Sequence, residues 1–451
     1  MEKQFDINKE FATIEFNSKR LKDRFIKTMR KLEKDPQHSI LSTMGSRSEA
    51  KAVYRMLGNE KFSWQEIHRV HKESTIERMV SCQEQIILAV QDTTAVNYHT
   101  HTKTKGLGYN CEKTRGINVH SCLALTPEGV TLGLLHQEFY TRENKKQEGT
   151  RDELKTRPIE EKESFRWLET MEKSNEGIPE FIKIINICDR EGDMYELYEK
   201  AVLEDKSFLI RVTQNRYSIN NEKIIHEIKK VPFKGSQEVV IPRDSKTKTP
   251  ERDTTLWITY QDFEVKVPNR KKAECEVRMN VIYVTEQQSE DSMQAPIEWI
   301  LATNEQIESE EDAFRFVDYY IQRWKIEQFH YILKSGCQIE KIQQREVKKI
   351  IPLIFMYSII STMILNMTYL ARINPDLPAT VILDQEELKT LYCCAHKTKE
   401  YPNTYTLGNA IDYIGVLGGF RSAKSDGPPG VKRIWNGLQR LYYLQQFKEF
   451  L

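Results

Sequence analysis

The segment YYIQRWKIEQFHYILKSG (319–336) carries a hydroxyl, a guanidinium, a carboxylate and an ammonium at Tyr320, Arg323, Glu327 and Lys334. On one continuous helix, turning about 100° per residue, Arg323, Lys334 and Glu327 would fall at about 300°, 320° and 340° from Tyr320. All four would share one stripe. Val317, Ile321, Trp324 and Ile332 would form the apolar face that holds the helix on a core. The spacing also suits an ordinary ion-paired helix, since Arg323 and Glu327 are i,i+4 neighbours. Two further acids sharpen the question. Asp92 ends the apolar run IILAVQ, and Asp189 ends FIKIINIC. In an open α/β sheet, sites form at the carboxyl ends of the strands. If Glu327 reaches the same edge, three carboxylates meet there, and they stay charged only beside a counter-ion. A hard divalent cation such as Mg²⁺ takes such oxygen ligands and leaves positions for water or phosphate oxygens. Two such ions would serve phosphodiester chemistry. Thr93 and Thr94 read as strand-end packing beside Asp92.

The elements that must position these acids follow from the pattern of apolar residues. Residues 1–72 read as helical, with caps at Ser46 and Ser63. Strands are predicted over 85–94, 116–129, 130–140, 181–191 and 208–216, the second and third joined through a Pro-Gly turn. A charged helix is predicted over about 158–174. The result is a mixed α/β sheet. From about 217 to 300 short alternating strands continue without a helix, which reads as an inserted β subdomain. Helices resume at 309–334 and run to the end. No internal repeat is found.

The chain has 451 residues, enough for two or three domains, and a net charge of +1. The charge is unevenly spread, with sixteen Lys/Arg against ten Asp/Glu in residues 1–72. Segment 18–34, SKRLKDRFIKTMRKLEK, sets Leu21, Phe25, Met29 and Leu32 at helical spacing among basic residues. It is either a solvated helix of a globular domain or a phosphate-contacting one. Eight cysteines show no CxxC pair and no zinc spacing, which points to reduced thiols. His68, His71, His99 and His101 are read as structural. The N-terminus MEKQFDINKE does not read as a signal peptide. The most apolar run, 350–365, is too short to span a bilayer and reads as a buried helix, so no membrane partner is expected.

With these residues in view, the chain resembles bacterial insertion-sequence transposases of the ribonuclease-H-like, Asp-Asp-Glu type. Within them it is similar to the subgroup with the Tyr-(2)-Arg-(3)-Glu-(6)-Lys signature, matched by Tyr320, Arg323, Glu327 and Lys334 with every spacing intact. The first Asp context is QDTTAVNYH (91–99) and the second CDREGDMYEL (188–197). GLLHQEFY (133–140), WILATNE (299–305) and the tail IDYIGVLGGFRSAKSDGPPGVKRIWNGLQRL (411–441) match in the same order, over nearly the whole chain.

The resemblance implies an α/β, ribonuclease-H-like catalytic domain over 73–368 with the β insertion at about 217–300. A helical DNA-end-binding domain would occupy 1–72 and a helical dimerisation domain 369–451. It implies cut-and-paste transposition of double-stranded DNA by a homodimer that synapses two element ends. Asp92, Asp189 and Glu327 would hold two Mg²⁺ ions, with Mn²⁺ as substitute. A nick, a DNA hairpin, its opening and joining to target DNA would follow in turn. Arg323 and Lys334 would neutralise phosphates, and Tyr320 would hydrogen-bond a phosphate or stack. Trp299 would stack on a flipped base with Arg211 nearby, although WILA by itself reads as core. Lys19, Arg20, Arg24 and Arg55 would contact the element end, and Lys424, Lys432 and Arg433 are weaker DNA candidates. The implied location is the bacterial cytoplasm, at the nucleoid. Two other readings stay open at this point, a plain metal-dependent nuclease and a catalytically inactive DNA-binding regulator.

Overall fold

Ile86–Asn97 forms strand β1 in the computed structural model, which describes residues 3–111, 114–142, 157–241, 252–269, 274–286, 296–398, 400–401, 405–423 and 427–448. β1 is shared by two compact units. One comprises Gln85–Asp92 and Gly149–Arg323, the other Met1–Glu84, Thr93–Glu148 and Trp324–Leu451.

In the unit of Gly149–Arg323 the start of β1 is joined by helix α6 (Phe165–Asn175), β4 (Lys183–Cys188), α7 (Tyr195–Leu203) and β5 (Ser207–Arg211). β1, β4 and β5 are parallel neighbours. Their residues are almost wholly apolar and buried, as parallel strands covered on both faces require. Helix α7 is the crossover that two parallel strands need, and the sequence reading placed β4 and β5 in succession without it. The short helix α8 (Ile224–Ile228) then precedes β6 (Gly235–Ile241), β7 (Arg252–Val265), β8 (Val277–Glu286) and β9 (Glu298–Thr303). Helix α8 is an exception to the all-β reading of 217–300. The last four strands are antiparallel, and the strand order is β1-β4-β5-β9-β8-β7-β6. Helix α9 (Glu310–Ile321) closes the unit and opens on a Ser309–Asp312 capping box.

The other unit starts with α1 (Ile7–Glu10), α2 (Lys19–Lys34), α3 (Ile40–Met44), α4 (Arg47–Leu57) and α5 (Trp64–Ser81). Ser46 and Ser63 cap α4 and α5 as predicted, and α5 runs nine residues beyond position 72. Leu21, Phe25, Met29 and Leu32 of α2 are all buried. Strands β2 (Gly116–Leu125) and β3 (Thr131–Tyr140) form the predicted β-hairpin, in the order β3-β2-β1. Gly133 has φ +147°, and a Cβ there would lie 2.2 Å from Thr75 Oγ1, so glycine is required. After α10 (Trp324–Tyr331) and one π turn (Ile332–Gly336) comes α11 (Val347–Ile373). This helix is longer than the predicted run 350–365. By length and composition it could cross a membrane, but most of it is buried inside the protein. Ser358, Ser361, Thr362 and Thr368 return their hydroxyls to α11's own carbonyls, so its buried polar groups are satisfied. Helices α12 (Gln385–His396), α13 (Leu407–Leu417) and α14 (Val431–Lys448) complete the unit around an apolar cluster that includes Leu391, Leu407, Ile414 and Ile434.

Candidate active site

The parallel registers determine which strand-end residues meet. β1 pairs with β4 through Val90 and Ile187, and β4 with β5 through Cys188 and Ile210. Carried to the strand ends, the same registers set Asp92, Asp189 and Arg211 in one row. Residues in register on adjacent strands face the same side, about 4.8 Å apart from strand to strand. Asp92 and Asp189 are both half-buried. Asp189 is held by the turn it begins, where its Oδ1 accepts the Glu191 N–H at 2.8 Å. The turn is tight at Gly192, because a Cβ there would lie 2.5 Å from the Cys188 Cβ.

Cations crowd this row. The Arg211 side chain donates to the Glu298 carbonyl at 3.3 Å. Burial lowers its pKa, and the neighbouring Arg190 and Arg323 guanidiniums push the same way, while Tyr320 opposes them. Tyr320 is 4% exposed. Burial raises the pKa of its hydroxyl against the pull of Arg323 and Arg211, and Asp189 adds to the rise. The phenol therefore keeps its proton and can donate it. Arg323 stands 5.9 Å from the centre of the Tyr320 ring. Trp299 is half-buried and meets the Tyr320 ring edge-on, with centroids 5.6 Å apart, so it is not ordinary core. Asp189, Arg211, Trp299, Tyr320 and Arg323 thus gather in one unit. Arg190 belongs with them, and sequence reasoning passed over it although it directly follows a strand-end acid.

Glu327 and Lys334 lie in the other unit. The single continuous helix expected here is interrupted, since α9 ends at Ile321 and Gln322–Arg323 make a turn before α10. The π turn then displaces Lys334 from an α-helical position. Ile321 and Trp324, predicted to face the core, are 45% and 44% exposed, whereas Val317 and Ile332 are buried as predicted. Glu327 occupies the first turn of α10 and is half-buried. Lys334 Nζ donates to the carbonyl of Ala95 at 2.8 Å, three residues beyond Asp92 on β1. Nearby, Glu340 accepts the Asn97 N–H at 2.9 Å and Tyr98 donates to the Ile339 carbonyl at 2.8 Å. The segment 332–340 is thereby strapped to the end of β1. Among the described residues, no three His, Cys, Asp or Glu side chains converge as a preformed metal cage.

Lys19, Arg20 and Arg55 are exposed on α2 and α4. Arg24 is half-buried and bound to Glu49 at 2.5 Å, with Lys27 on the same carboxylate at 3.1 Å. Lys432 is exposed, Arg433 donates to the Gly418 carbonyl at 3.3 Å, and Lys424 lies outside the described residues. His71 is structural as expected. Its Nδ1 meets Glu10 at 2.5 Å, and its Nε2 accepts the Leu134 N–H at 3.1 Å.

Comparison with known proteins points the same way at both ends of the chain. Residues 6–62 match the transposase DNA-binding family model, and residues 359–448 match the Tn5 transposase dimerisation domain. These two matches indicate a transposase of the Tn5 type. A solved structure of a piggyBac transposase synaptic complex with hairpin DNA is 11% identical, with a TM-score of 0.38 over 78% of this chain and 67% of that one. A likeness at that level carries no argument.

Proposed function

We propose that this chain is a cut-and-paste DNA transposase with a ribonuclease-H-like catalytic part. It acts on double-stranded element ends and target DNA as a homodimer, in the bacterial cytoplasm at the nucleoid. The observation that carries this reading is the row of Asp92, Asp189 and Arg211 at three parallel strand ends, bordered by Tyr320, Arg323 and Trp299. The family matches at the two termini support DNA binding and dimerisation there.

Asp92 and Asp189 offer hard oxygen donors side by side at a half-buried edge, the donor set that Mg²⁺ or Mn²⁺ takes together with phosphate oxygens. Glu327 would complete the set for two ions. When bound, the ions would activate a water or a 3′-hydroxyl and stabilise the leaving oxygen. The chain's own side chains then position the DNA. Arg211, Arg323 and Arg190 bring positive charge to the phosphates around the scissile bond, and Lys334 would do so from the π turn, where it is bonded to the Ala95 carbonyl. Tyr320 donates its retained proton to a phosphate oxygen. Trp299 presents its indole to a base unstacked by the bend of a DNA hairpin, worth about 1–3 kcal/mol. Nicking, hairpin formation, hairpin opening and target joining differ in nucleophile but not in phosphoryl chemistry, so one site serves them all.

The test is incubation with DNA from the flanks of its own gene and Mg²⁺ or Mn²⁺. Nicks, hairpins and double-strand ends are expected. Cleavage without hairpins would make it a plain nuclease, and binding without any cleavage a regulator.

A further inference from the structure

Asp193, four residues beyond Asp189, takes no part in the proposed chemistry, yet it is 1% exposed. Its carboxylate collects donors from two elements. Tyr198 on α7 donates its hydroxyl at 2.6 Å. From the loop after β5, the N–H groups of Thr213 and Gln214 donate at 2.6 and 2.7 Å, and the Thr213 hydroxyl at 3.3 Å. Arg216 forms an ion pair with the same carboxylate. The Asp193 carbonyl accepts from Gln214 Nε2 at 2.9 Å and from Arg216 Nη2 at 2.8 Å. One residue is thus bonded, through side chain and main chain together, to Thr213, Gln214 and Arg216.

The two segments joined in this way are the ones that carry the site. Asp189 opens the turn that Asp193 ends. Arg211 is the last residue of β5, immediately before the bonded loop, and the Val212 N–H donates to Ile300, next to Trp299, at 2.8 Å. We infer that Asp193 is a positioning residue, its buried pair with Arg216 locking the turn after β4 to the loop after β5 so that Asp189 and Arg211 keep a fixed relation. Partners behind a ligand hold it in geometry, and their loss typically weakens metal affinity about 10–100-fold. The inference rests on the proposed role of Asp189.

Mn²⁺ binding is measured by titration calorimetry on the full chain with its end DNA, for wild type, Asp193→Asn, Tyr198→Phe and Asp189→Ala. The temperature is one at which circular dichroism shows each variant folded. Asp193→Asn is expected to bind Mn²⁺ about tenfold more weakly, with end-DNA affinity as in wild type. Tyr198→Phe, which removes one donor and no charge, is expected to shift in the same direction by less. Lowered melting temperatures with wild-type Mn²⁺ affinity in both variants would overturn the inference. If Asp193→Asn does not fold, Tyr198→Phe decides alone, and unchanged affinity there has the same meaning. Wild-type affinity in Asp189→Ala would instead overturn the reading of the site itself.

Discussion

Two groups of acids and guanidiniums in this chain lead opposite lives. In the unit of Met1–Glu84, Glu10 is buried and accepts from Arg78 at 2.6 and 3.1 Å and from His71 at 2.5 Å. Arg78 and His71 are spent in turn on the carbonyl of Leu132 and the N–H of Leu134. Charge and hydrogen bonds close on themselves. At the strand ends around Asp189, burial lowers the pKa of Arg211, with Arg190 and Arg323 close enough to add to the effect against Tyr320, and the acids are half-buried. A closed network holds a fold together. A crowded one with like charges near each other suits a ligand of opposite sign, which in the proposed function is a phosphate backbone.

The largest effects should separate the two groups cleanly. Asp92→Ala, Asp189→Ala or Glu327→Ala is expected to reduce Mg²⁺-dependent cleavage to background while end-DNA binding, followed by gel shift, is retained. Cleavage surviving in any one of them removes that residue from the ligand set. Glu10→Gln should do the reverse, leaving cleavage intact below the melting point while costing about 3–5 kcal/mol in denaturant unfolding, because a charge partner is lost from a buried pair. A loss under about 1 kcal/mol would mean that the network is not closed.

The same network predicts a pH response. Burial works to raise the pKa of Glu10, but Arg78 and then His71 overcome it and hold it at about 2, against 4.5 when unpartnered. A depressed acid stabilises the fold above its unfolded pKa. Glu10 should therefore contribute about 3 kcal/mol above pH 4.5, lost progressively as pH falls towards about 2. Unfolding of Glu10→Gln should lack that component of the acid limb.

Smaller effects sharpen the strand-end group. Trp299→Ala should slow hairpin formation about tenfold relative to first nicking, in line with the loss of one stacked base. Equal slowing of both steps would reduce Trp299 to a structural role. Arg190→Ala should weaken end binding only a few-fold and lower the slope of log affinity against log salt by about one. An unchanged slope would place Arg190 off the backbone.

Much of the site is legible in the amino-acid sequence. IILAVQ and FIKIINIC both run into an acid, while the register that aligns Asp92 with Asp189 is set by the pairing of β1 with β4. Other features have no local signal. Neither Gly nor Pro marks the break at Gln322–Arg323, so the spacing from Tyr320 to Lys334 predicts one helix where two form. The π turn at 332–336 is likewise invisible to a 3.6-residue period. Helix α7 escapes the apolar pattern because YELYEKAVL is short, although the parallel strands on either side demand a crossover. Asp193 looks like any loop acid until Tyr198, Thr213, Gln214 and Arg216 are seen to converge on it.

In the proposed function Asp92, Asp189 and Glu327 would hold divalent ions against DNA. Its most direct test is Mn²⁺ anomalous scattering from crystals of the chain with its end DNA. The account predicts density about 2.1 Å from carboxylate oxygens of Asp92 and Asp189, with Glu327 on one of the ions and a phosphate oxygen in each shell. Mn²⁺ bound elsewhere, or bound with these three side chains out of reach of it, would contradict the account.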